Sequence, residues 1–205
     1  MEWTVAAKII LSALLVAAAV VDLKTRRVPH LITWPLLLVA VAVKTWEGCW
    51  ILPLLLLGLI LIGVLPQVWR NSAVVLLVGG VQWWSQVWND SSVVPFIALW
   101  WGVVYVLWLL HVLGGGDVRL FMALVAFFPR PTMVAALWGG LLFVGAIWLL
   151  VQHRRNALAP LLQAGQDLAD GRYPSQEDLE EQGRPMTLGL VLGALAHLWL
   201  VSLAS

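Results

Sequence analysis

Ile9-Ile-Leu-Ser-Ala-Leu-Leu-Val-Ala-Ala-Ala-Val-Val-Asp22-Leu-Lys-Thr-Arg-Arg27 sets the reading of the whole chain. From Ile9 to Val21 no residue is charged, so a helix built from them is apolar on every face and needs an apolar surrounding. The charges at its ends give it a direction. Glu2 precedes it, and Lys24, Arg26 and Arg27 follow it. That order is the reverse of a cleavable signal peptide, and basic residues hold their end of a span in the cytoplasm. A retained first membrane span with its N-terminus outside is therefore expected.

The rest of the chain repeats the pattern. Of 205 residues, 61% are hydrophobic and 11% charged, which excludes an ordinary soluble fold. At about 20 apolar residues per crossing, spans are expected at 4–21, 31–46, 50–69, 73–88, 93–112, 132–152 and 186–203, with a short apolar piece at 118–128 as an eighth. The fold class is thus an all-α, polytopic bundle of about eight membrane segments. It forms one integral-membrane domain over 1–205, with a polar cytoplasmic loop at 153–185. Within 73–88 the pattern is interrupted by Gln82, Ser85 and Gln86, and Gly79-Gly80 mark close packing or a break.

This topology makes 22–30, 70–72, 113–117 and 153–185 cytoplasmic. Lys24, Arg26, Arg27, Arg70, Arg119, Arg154, Arg155, Arg172 and Arg184 then lie inside, against Lys8, Lys44 and Arg130 outside, as the positive-inside rule requires. Several tryptophans, among them Trp3, Trp46, Trp50, Trp69 and Trp88, fall near span ends and read as interfacial anchors. A net charge of +1 with no basic cluster excludes nucleic acid as a partner and leaves membrane lipid. The single Cys49 cannot form an intrachain disulfide, and no Cys/His spacing suits zinc, so neither metal nor other cofactor is expected.

Two acidic residues stand apart from the polar loop at cytoplasmic span ends: Asp22, closing the first span, and Asp117, after Gly114-Gly115-Gly116. A carboxylate at the edge of a bilayer core is costly and faces a partner or a water-filled cavity. The three glycines permit backbone conformations closed to other residues and let a substrate chain approach without side-chain obstruction. If 118–128 is helical it rises only about 16 Å, half of a ~30 Å core, which would set Asp117 below the surface. Two neighbouring carboxyls in a partly desolvated site share a proton, and hydrolysis uses both forms. The pair is therefore expected to be catalytic.

The same residues carry a resemblance. Asp22-Leu-Lys-Thr-Arg-Arg-Val-Pro29 and Gly114-Gly-Gly-Asp-Val-Arg-Leu120 are similar to the two aspartate motifs of the type IV prepilin peptidase family, the second being its GxGD motif. Arg184-Pro-Met-Thr-Leu-Gly-Leu-Val-Leu-Gly193 resembles the start of the family's last helix. His30 and Arg119 stand where the family often has Asn and Lys, and 50–90 holds extra apolar sequence. The resemblance implies an aspartic endopeptidase that removes a short basic leader from pilin-like precursors on the cytoplasmic face of the inner membrane. Asp22 and Asp117 would be catalytic, with Gly114, Gly115, Gly116 and Pro29 shaping the active-site loop. Pro29 follows Asp22 by only seven positions, which leaves no room there for the cysteine-rich domain of members that also methylate the new N-terminus. Peptidase activity without methyl transfer is expected. The acidic run Glu177, Asp178, Glu180 and Glu181 is a solvated loop that could also contact the basic leader. The competing class is a proton- or cation-coupled transporter that uses the same two aspartates.

Overall fold

The computed structural model describes residues 5–25, 30–87, 93–109, 113–152 and 186–201, and among them the chain is all-α. The helices are α1 (Val5–Thr25), α2 (His30–Trp46), α3 (Ile51–Val64), α4 (Gln67–Val87), α5 (Val94–Leu109), α6 (Gly115–Phe127), α7 (Pro131–Gln152) and α8 (Met186–Ala196), the last continued by a π-helical stretch, His197–Val201. Each of the eight expected segments has its helix. Two boundaries differ from expectation.

The expected loop at 70–72 lies inside α4, which starts at Gln67. The break falls earlier, at Leu65-Pro66. Leu65 is extended (φ −68°, ψ 154°), the conformation that a following proline imposes, and it ends α3 at Val64. Arg70, expected to mark a loop, instead folds back to donate from Nε to the Leu65 carbonyl left over by that break. The second difference is at α6. It begins at Gly115, so Asp117 lies in the first helical turn and not in a preceding loop.

The chain divides into two compact units, 33–131 and the combination of 1–32 with 132–205. In the first, α5 is the hub. Trp101, fully buried, donates its indole N–H to the Met122 carbonyl of α6 at 2.9 Å. Tyr105 donates to the Leu59 carbonyl of α3 at 2.6 Å, and Gln82 of α4 to the Pro95 carbonyl at 2.6 Å. Gln82 and Ser85 interrupt the apolar pattern, yet both use their polarity on backbone carbonyls, Ser85 on that of Gln82 itself. Helix α4 runs unbroken through Gly79-Gly80, and no atom lies within 4 Å of where a side chain would stand at either.

In the other unit α1 packs on α8. The pairing is antiparallel: Asp22, near the end of α1, meets Thr187 at the start of α8, while Ser12, further back, accepts from the indole of Trp199 at 3.3 Å. Helices α7 and α8 cross at glycine. A Cβ built on Gly189 would lie 2.7 Å from the Gly140 carbonyl oxygen, and one on Gly193 would run into the backbone of Ala136 and Leu137. Small residues let two helix backbones approach this closely.

Among the described residues no helix is both long and apolar enough to cross a membrane. The outward faces are nonetheless apolar. Leu31, Val64, Leu76 and Leu142 are 71–87% exposed, and Trp46 and Trp50, either side of the α2–α3 turn, are 92% and 72% exposed.

Candidate active site

A buried carboxylate is expensive unless something holds it. Three acidic side chains lie among the described residues whose surroundings are defined, and they divide cleanly. Glu47 is matched to Lys44, Nζ to Oε2 at 2.6 Å, at the end of α2. Asp22 and Asp117 are each only 8% exposed.

Asp117 is held by the way α6 begins. Gly114 is the N-cap, and the Val118 N–H donates to its carbonyl at 3.1 Å, closing the first turn. The first turn of a helix has N–H groups without intrahelical partners and carries the positive end of the helix dipole, so an acidic residue there is favoured. The carboxylate folds back across the cap: a Cβ on Gly114 would stand 3.0 Å from Oδ2.

The role expected for the glycines changes here. At φ −68° and ψ 147° Gly114 has a backbone that any residue adopts, so its value is the space it leaves. Gly115 is tight for the same reason, its Cβ position lying 3.3 Å from Arg119 Nη2 and 3.4 Å from Trp108 Nε1. Gly114 is exposed, so backbone is uncovered beside a buried carboxylate. Gly114→Ala is expected to shift the carboxylate by a few tenths of an ångström and, if Asp117 is catalytic as the sequence leads one to expect, to lower kcat for peptide cleavage about tenfold with little change in KM. Steady-state kinetics on a precursor peptide checks this, and a kcat within twofold of wild type counts against it.

Arg119 fixes the same turn from the other side. Its Nη1 donates to Thr33 Oγ1 at 3.3 Å, and its guanidinium sits 5.2 Å from the ring centre of Trp34. The start of α2 is thereby tied to the start of α6.

Asp22 lies in the last turn of α1, where the negative end of the dipole disfavours a carboxylate. The offset comes from the side-chain hydroxyl of Thr187, which donates to it from the first turn of α8. Thr187 was not singled out from the sequence. Its signal is a lone hydroxyl in the first turn of an apolar run, two residues after Pro185.

The structure thus groups Asp117 with Gly114, Gly115, Gly116 and Arg119 in one unit, and Asp22 with Thr187 in the other. Pro29, Glu177, Asp178, Glu180 and Glu181 lie outside the described residues. Among the described residues no three His, Cys, Asp or Glu side chains gather as a metal-binding group.

No curated protein and no solved structure matches the chain. Residues 9–150, however, match the model of the type IV leader peptidase family, a stretch that contains both buried aspartates. Covering well over half of the sequence, that match makes the chain a member of the type IV leader peptidase family, a family of peptidases.

Proposed function

We propose that this protein is a membrane-embedded aspartic endopeptidase, a prepilin peptidase, that removes the basic leader from type IV pilin-like precursors at the cytoplasmic face of the inner membrane. The observation that carries this reading is the burial of Asp22 and Asp117 within the stretch that matches the leader peptidase family. Buried carboxylates on scaffolds of this kind mark chemistry more often than stability.

In the reaction, one aspartate is ionised and takes a proton from a water as the water's oxygen attacks the scissile carbonyl. The other, protonated, donates to the carbonyl oxygen as it gains charge. When the tetrahedral intermediate collapses, the C–N bond breaks and the leaving amine takes up a proton from the dyad. The two carboxyls titrate as a pair, so acid and base belong to the dyad and to neither residue alone.

Membrane embedding is supported by the apolar outward faces and by the exposed tryptophans at the α2–α3 turn. The charge distribution supports a multi-pass topology with the N-terminus outside and the active site facing the cytoplasm. The short Asp22–Pro29 spacing supports cleavage without N-methylation.

Incubating the purified protein with a pilin-like precursor and mapping products by mass spectrometry tests the reading, with a single cut that releases the basic leader expected. The acidic run is the proposed contact for the leader. Replacing Glu177, Asp178, Glu180 and Glu181 by Lys is expected to slow cleavage of a basic-leader precursor about tenfold at 0.01 M salt, where the Debye length is about 30 Å, and much less at 0.15 M, where it is about 8 Å. Equal rates at low salt would remove the run from the binding site.

A further inference from the structure

Thr187 lies beyond the stretch that matches the peptidase family. It is fully buried, it stands in the first turn of α8, and its hydroxyl donates to Asp22. A buried hydroxyl must find a hydrogen-bond partner. This one has a carboxylate as its partner.

Three features show a built arrangement. The β-branched side chain of threonine restricts χ1 in a helix to essentially two rotamers, so few orientations of the hydroxyl compete with the one that meets Asp22. The start of α8 is itself fixed, because Gly189 and Gly193, two and six residues further on, rest directly on the α7 backbone. The second tether between the same two helices, Trp199 to Ser12, sets their register. Together these hold the hydroxyl against the Asp22 carboxyl, which has more lone pairs than one hydroxyl can fill.

We propose that Thr187 is a positioning residue for the peptidase reaction. Its hydroxyl holds the Asp22 carboxyl in the orientation that water activation and carbonyl polarisation require, and α8 is therefore part of the active-site framework. The proposal rests on the reading of Asp22 as catalytic.

The test compares Thr187→Val, which keeps the shape and removes the hydroxyl, with Thr187→Ser, which keeps the hydroxyl, and with Asp22→Asn. Each full-length protein is assayed for cleavage of a synthetic precursor, with kcat and KM separated and the melting temperature recorded. Thr187→Val is expected to lose about 10- to 100-fold in kcat at nearly constant KM, and Thr187→Ser to stay within about threefold of wild type. If Thr187→Val does not fold, Thr187→Ala replaces it in the comparison.

Full activity of the valine variant, or a serine variant as slow as the valine one, overturns the proposal, since either outcome shows that the hydroxyl does not act. The two levels of the argument separate cleanly. An inactive Asp22→Asn beside a fully active Thr187→Val sinks the role of Thr187 alone. A fully active Asp22→Asn sinks the catalytic reading of Asp22 and this proposal with it.

Discussion

Asp117→Asn and Asp22→Asn, made separately, are each expected to lower the rate of cleavage of the proposed precursor substrate by about 10²- to 10⁴-fold, the range spanned by general acid–base groups. The amide has nearly the shape of the carboxyl, but it cannot cycle a proton with water. Stability should move the other way. A carboxylate that is 8% exposed costs free energy to bury, so neutralising it leaves the melting temperature unchanged or raises it, the usual relation between an active site and its fold. A purely structural aspartate would give the opposite pair of results, with cleavage intact and a lowered melting temperature. Persistent cleavage in both variants rejects the dyad. If no precursor is cleaved and proteoliposomes show ion flux that depends on the aspartates, the protein is a transporter.

Gly140→Ala is expected to destabilise the protein by about 3 kcal/mol or more, whereas Gly139→Ala, one residue earlier on the same helix, should be neutral or stabilise by up to about 1 kcal/mol. The contrast comes entirely from the neighbours. At Gly139 nothing lies within 4 Å of the added carbon, and alanine is the better helix former. At Gly140 the added carbon meets the Gly189 carbonyl and comes within 2.9 Å of the Gly193 amide. Backbone cannot rotate aside as a flexible side chain can, so the helices must separate. Thermal melts of the two variants in detergent decide the matter, and equal melting temperatures would show that the crossing has slack. Because Thr187 is two residues from Gly189, the same separation should draw the hydroxyl away from Asp22 and lower activity in whatever protein remains folded.

The described helices were legible because most are largely apolar runs bounded by charge, glycine or proline, and the polar residues that interrupt α4 are too few to break it. The boundary errors have local causes. Polar Arg70, Asn71 and Ser72 looked like a loop, but helix geometry let Arg70 reach back to a carbonyl that Pro66 had left without a partner. Asp117 looked like the end of a glycine loop, but an acidic group is favoured in a first helical turn and drew the start of α6 back to Gly115. Both aspartates were legible as candidates, and as buried groups, because carboxylates at the ends of apolar runs are rare and costly. Thr187 was not, since its importance depends on the antiparallel meeting of α1 with α8, helices more than 150 positions apart in the chain. The Gly140–Gly189 crossing was hidden for the same reason, because Gly139 and Gly140 read alike in sequence and differ only in what faces them.

Helix α6 has almost no outer side. From Leu120 to Phe127 every residue is buried, and full exposure begins only beyond the helix, at Gly114 on one side and Arg130 on the other. A polypeptide can therefore meet this helix end-on but cannot lie along it. On the proposed function, whatever distinguishes a precursor from other polypeptides would be read by other surfaces. If Asp117 is catalytic, its end of α6 is left to inspect only the few residues around the bond to be cut. Selection of the substrate and cutting of the substrate would then be separable tasks, open to change one at a time.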